Sequence, residues 1–249
     1  MSMNNESVGI AVEVAIAKTF NIDINPAYVL RAESEITDFL LKGDYIRTIF
    51  KRERLPEPTS HSAEGQSPID FTLSGDKTLS VKTNKNSIGR TAPQKIGQPT
   101  CRSFFNYIES NNVIKGFNLN DYLKKNNLTD TKQNRSYVFK TLSIQNIDLL
   151  MNMYWQNIFE CDYLLLIYNL EKRANPLDNY RIFGKYGDLP KWDKRLFSFT
   201  QSLRTWNESN TVKYAGISIG NFQVHNHRDC FKFRFNMKGI AALLSSETI

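Results

Sequence analysis

Residues 64 to 85, EGQSPIDFTLSGDKTLSVKTNK, constrain the fold of this chain more than any other stretch. Ile69, Phe71 and Leu73 alternate with Asp70, Thr72 and Ser74, the period-2 pattern of a strand with one apolar face. Ser74-Gly75-Asp76-Lys77 is a turn signal. A second alternating run follows from Thr78 to Thr83, with Leu79 and Val81 on one side and Ser80 and Lys82 on the other. Two antiparallel strands joined in this way bring Asp70 and Lys82 side by side on neighbouring strands.

That placement has a chemical use. A carboxylate that binds Mg²⁺, a lysine that holds or deprotonates a water, and a backbone carbonyl as a further hard oxygen ligand are the parts that phosphodiester hydrolysis needs. Here they are Asp70, Lys82 and the carbonyl of Val81. An ordinary hairpin with a solvated Asp and Lys carries the same letters. Pro68, Asp70, Ser80 and Lys82 resemble the PD-(D/E)XK nuclease motif, most familiar from type II restriction endonucleases. The match departs from that motif twice: Ile69 separates the proline from the aspartate, and Ser80 stands at the second acidic position. Some restriction enzymes carry Ser-x-Lys there, which implies a carboxylate brought from elsewhere in the chain.

Residues 7 to 20, SVGIAVEVAIAKTF, read as a helix with Ser7 as its cap and Val8, Val12, Ala15, Ile16 and Phe20 as an apolar stripe. Glu13 is the one acidic residue within this segment, and a carboxylate there must be exposed, paired or bound to metal. Gly9 and Glu13 are similar to the Gly-x-x-x-Glu helix at the start of many restriction endonucleases, and the resemblance implies that Glu13 supplies what Ser80 does not. Glu33 and Glu35, in a helical stretch from 26 to 50 with a break near Gly43, are its rivals. Residues 51 to 67, rich in Pro, Ser and charge, read as a loop or strand edge leading into the hairpin.

The polar, basic stretch after Lys82 is suited to phosphates through Asn84, Lys85, Asn86, Arg90 and Lys95, with glycines that let a backbone come close. In the family a helix beginning near here can donate a glutamate; Gln94 and Gln98 are the nearest equivalents, and Gln94 is the weaker substitute that can orient water. Residues 102 to 159 read as mainly helical, with a long helix over 141 to 159, and 161 to 170 as a buried strand. A strand over 180 to 184 and two more strands toward the C-terminus complete the pattern. In NFQVHNHRDCFKFRFN, Gln223, His225, Asn226, His227, Arg228 and Asp229 are a dense set of donors and acceptors suited to base edges. Phe231, Phe233 and Phe235 then alternate with Lys232, Arg234 and Asn236, an apolar face backed by a basic one. A similar His-rich turn before a Phe-Arg strand reads sequence in some restriction endonucleases.

The element order is that of the PD-(D/E)XK core. The expectation is an α/β (α+β) fold with a restriction-endonuclease-like core, a mixed central sheet flanked by helices. It forms a single domain over 1–249, with a catalytic core at about 1–170 and DNA-recognition elements at about 171–249. A net charge of +7 suits an anionic partner. Three dispersed cysteines indicate neither a disulfide framework nor a zinc site. No apolar run reaches membrane length and MSMNNESVG lacks the regions of a signal peptide, so a cytoplasmic protein with no membrane association is expected.

The function implied is that of a type II restriction endonuclease cutting double-stranded DNA with Mg²⁺. Asp70, Val81 and Glu13 hold the metal, while Lys82 positions water. A methyltransferase acting on the same sequence would be its functional partner, and either a monomer or a homodimer would cut both strands. The alternatives are another nuclease of the fold, acting in repair or on junctions, and a catalytically silent DNA-binding protein.

Overall fold

The structure, a computed structural model, describes residues 4–63, 67–93, 95–184, 191–225 and 229–245. The chain forms two compact units and passes twice through each: Met1–Gly89 with Phe159–Gly187, and Arg90–Ile158 with Asp188–Ile249. The first pass contains α1 (Asn5–Thr19), α2 (Pro26–Arg31), α3 (Ser34–Lys42), α4 (Tyr45–Glu53), β1 (Pro58–His61), β2 (Phe71–Leu73) and β3 (Lys77–Asn84). The second unit then begins with β4 (Arg90–Thr91), α5 (Cys101–Ser110), α6 (Leu119–Lys125), α7 (Lys132–Gln145) and α8 (Ile147–Ile158). The chain returns for β5 (Tyr163–Tyr168) and β6 (Tyr180–Gly184). It ends with β7 (Phe197–Phe199), β8 (Ser209–Tyr214), β9 (Ile217–Val224), β10 (Phe231–Asn236) and α9 (Met237–Ser245). Residues 90–158 thus lie in sequence between the two passes of the first unit.

In the first unit the sheet order is β1-β2-β3-β5-β6, with β3 and β5 parallel and the other neighbours antiparallel. The fold is therefore mixed α+β, with a mixed sheet flanked by helices. The hairpin forms as its alternation demands, and its turn places Gly75 and Asp76 at φ +73° and +56°, the left-handed region. Tyr163–Tyr168 is the buried central strand, with Leu164 to Ile167 fully covered. Helix α1 is buried nearly all round, from Val8 and from Ile10 to Ala17, rather than along one stripe. Its cap is Asn4, whose side chain accepts from the Ser7 N–H at 2.7 Å, so the helix starts earlier than the Ser7 cap predicts. Residues 26 to 50 break at Ala32-Glu33 as well as at Gly43, and the loop or strand edge expected over 51 to 67 contains the last turn of α4 and the edge strand β1.

In the second unit the sheet order is β4-β10-β9-β8-β7, all antiparallel. Phe231, Phe233 and Phe235 alternate inward as expected. Phe139 of α7 stacks on Phe231 at 4.1 Å, and Tyr154 of α8 on Phe233 at 4.2 Å. The long helix expected over 141 to 159 is two helices divided at Asn146, and the C-terminal stretch yields three strands and a helix rather than two strands. Cys101, Cys161 and Cys230 are buried free thiols. Among the described residues no helix is long and apolar enough to cross a membrane.

Candidate active site

Asp70 is the residue before β2 and is 7% exposed. Its backbone is pinned on both sides, the N–H donating to Leu79 O at 2.9 Å and the carbonyl accepting from Ser62 N–H at 2.8 Å. Its carboxylate oxygen Oδ2 accepts from the Val81 N–H at 2.5 Å and from the Ser80 hydroxyl at 3.2 Å. Lys82 Nζ lies 3.9 Å from the same oxygen. Ser80 therefore acts on the aspartate, as a buried donor that helps fix its rotamer. The N–H and carbonyl of a strand residue leave on the same side, so the Val81 carbonyl opens toward the edge that Asp70 occupies.

Glu13 comes to this place from the middle of α1, only 9% exposed despite its charge. Its Oε2 lies 3.0 Å from His61 Nε2, and the two side chains are 11% and 6% exposed. Gly9, one turn earlier, lies where α1 crosses β3: a Cβ there would sit 3.4 Å from Thr83 Oγ1. Of the rival acids, Glu35 is an exposed partner of Arg173. At Glu33 the backbone N–H donates to Ser7 O at 3.2 Å.

Two residues absent from the sequence candidates join the cluster. His61 ends β1 opposite Phe71, and its ring meets Tyr28 and Phe71 edge-on, each at 5.1 Å between centroids. Burial raises the Tyr28 phenol above its ordinary value, and the charges of Glu13 and Asp70 add to that rise. No local signal marks either residue. Their place depends on β1 pairing with β2 and on α2 lying beside α1.

The electrostatics of the cluster fit a hard cation. Burial is the largest cause lifting Asp70 from 3.8 to about 6; Lys82, the Val81 N–H and the Ser80 hydroxyl oppose it, and the Glu13 charge reinforces it. Burial thus disfavours the ionised Asp70 carboxylate more than Lys82 and its hydrogen-bond donors favour it, a penalty that a cation bound beside it would relieve. Among the described residues no group of three or more His, Cys, Asp and Glu is placed to hold a metal ion. Two carboxylates, a backbone carbonyl and waters form the donor set that suits Mg²⁺, which keeps several waters and takes one or two carboxylates.

The expected phosphate contacts are divided between the two units. Asn84, Lys85 and Asn86 belong to the first, where Asn84 Oδ1 accepts from the Asn86 N–H at 3.2 Å and Lys85 Nζ lies 3.8 Å from Glu171. Arg90 and Lys95 belong to the second. There Arg90 pairs across from Asn236, Lys232 from Gln223 and Arg234 from Asn221, so all six share the sheet face opposite the phenylalanines. Burial lowers the Arg234 pKa and the neighbouring Arg90 charge lowers it further, a crowding of cations. His225 follows β9, its N–H 3.5 Å from Cys230 O. Asp229 is tied to its own unit: its carbonyl accepts from the Cys101 N–H at 3.1 Å and its Oδ1 lies 3.8 Å from Arg135. Gln94, Asn226, His227 and Arg228 lie outside the described residues.

No protein-family model and no solved structure matches the chain. The chain is similar to the type II restriction enzyme CviAII of Paramecium bursaria Chlorella virus 1, at 31% identity over 195 residues, 76% of this chain and 47% of that protein. It thus spans about half the length of the curated relative it matches.

Proposed function

We propose that this chain is a Mg²⁺-dependent type II restriction endonuclease with a PD-(D/E)XK core, hydrolysing phosphodiester bonds of double-stranded DNA at a short specific sequence. The observation that carries the reading is Asp70, buried before β2, with Lys82 of β3 3.9 Å from its carboxylate and the charge of the buried Glu13 of α1 acting on it, in a chain similar to a type II restriction enzyme. Asp70, Glu13 and the Val81 carbonyl would hold the ion. Bound there, Mg²⁺ supplies Lewis-acid charge for the phosphate and lowers the pKa of water. Lys82 holds the attacking water and orients it, while Ser80 and the Val81 N–H keep the Asp70 carboxylate in one rotamer. The basic face formed by Lys232, Arg234 and Arg90 meets the DNA, with Gln223 and the 225–229 segment at base edges. A methyltransferase modifying the same sequence would protect host DNA, and a homodimer would place one such site on each strand.

Incubation with plasmid DNA in Mg²⁺, with chelator as control, tests the reading. Discrete fragments that vanish with the chelator are expected. Cleavage confined to branched junctions would make the protein a junction nuclease, and binding without any cleavage would make it a silent DNA-binding protein.

A further inference from the structure

We propose that His61 is a positioning residue that fixes the Glu13 carboxylate for cation binding. This rests on the reading of Glu13 and Asp70 as Mg²⁺ ligands. A carboxylate in the middle of an almost wholly buried helix needs a polar partner, and the partner present is the ring of His61, 3.0 Å away. With Glu13 ionised, the shared proton belongs to Nε2, because a carboxylate only accepts. That bond engages Oε2 and leaves Oε1, which makes no hydrogen bond among the described residues, for a cation.

The histidine is itself fixed. Its ring is held edge-on by Tyr28 and Phe71, and its backbone is registered against Phe71, the residue after Asp70. Strand β1 therefore sets the Glu13 carboxylate through His61, and β3 sets the Asp70 carboxylate through the Val81 N–H, with β2 hydrogen-bonded to both strands. One sheet frames both carboxylates. Mg²⁺ demands near-ideal octahedral geometry, so a flexible glutamate gains from being held before the ion arrives.

The test is Mn²⁺ binding to the metal-free protein, read from the loss of the free-ion electron paramagnetic resonance signal. His61→Phe keeps a ring against Tyr28 and Phe71 and removes the bond; it should weaken Mn²⁺ binding about 10–100-fold, the usual effect of losing a partner that orients a ligand. His61→Gln, whose amide N–H can reach the same carboxylate, should recover most of that loss. Because His61 acts through Glu13, the double variant with Glu13→Gln should bind no more weakly than Glu13→Gln alone. A urea unfolding curve for each variant separates binding from folding. If His61→Phe does not fold, His61→Asn, with a shorter amide, takes its place in the cycle. Unchanged affinity in the folded His61 variant while Glu13→Gln loses binding overturns the proposal and leaves the metal site standing, and so does additivity in the double variant. If Asp70→Asn and Glu13→Gln also bind Mn²⁺ as the parent does, the metal-site reading itself fails and the proposal falls with it.

Discussion

Asp70 is held in a place that opposes its own charge. Its folded-state pKa of about 6 exceeds the ordinary 3.8, so the folded chain holds this proton more tightly than the unfolded chain does. The resulting stabilisation is complete below pH 3.8 and is lost as pH rises through about 6. At pH 8 without metal the ionised group costs stability. Asp70→Asn, which still offers an oxygen to Val81 and Ser80, should therefore stabilise the metal-free protein, by on the order of 3 kcal/mol. That gain should shrink as pH falls toward 4, as urea unfolding would record. Mg²⁺ should raise the melting temperature of the parent at pH 8 and not that of the variant. Glu13→Gln should lower cleavage at least about tenfold, whereas Glu33→Gln and Glu35→Gln should leave it near the parent rate. Equal, mild effects in all three would remove Glu13 from the site. Asp70, Ser80 and Lys82 were legible because strand alternation alone sets their faces, and Glu13 because a charge in an apolar helix needs a reason. His61 and Tyr28 were not, since they arrive through tertiary pairing with elements distant in sequence.

Among the elements, those with strong periodicity were readable and the interruptions were not. The hairpin, the buried strand β5 and the alternating Phe strand β10 follow directly from period 2 and from an unbroken apolar run. The breaks at Ala32-Glu33 and Asn146 carry no Gly or Pro, so nothing local announces them. Strand β1 lay in a segment whose prolines and charges resemble a loop. In the second unit α9 closes on β9 so tightly that a Cβ at Gly239 would lie 1.9 Å from Ser218 O, a backbone atom with little room to move. Gly239→Ala should cost about 1–3 kcal/mol, as overpacking does. A urea midpoint equal to that of the parent would show that α9 can shift away from β9.

For the molecule as a whole, composition carried an expectation of an anionic partner and little more. The nesting of 90–158 within the first unit could not be read from the chain, because no linker composition marks either crossing. The net charge of +7 and the basic face of the second unit carry an expectation about binding in bulk. Arg90→Ala and Lys232→Ala should each weaken binding to cognate and random duplexes alike, and lower the slope of log affinity against log salt by about one. An unchanged slope would place the phosphates elsewhere. The most direct measurement of the central claim is single-turnover cleavage of plasmid DNA in Mg²⁺ by the parent, Asp70→Asn and Lys82→Ala, with duplex binding by the same proteins followed in Ca²⁺. The expected result is discrete fragments from the parent, a loss of about 100-fold or more in rate for both variants, and binding in Ca²⁺ largely retained. Cleavage by either variant near the parent rate would contradict the account.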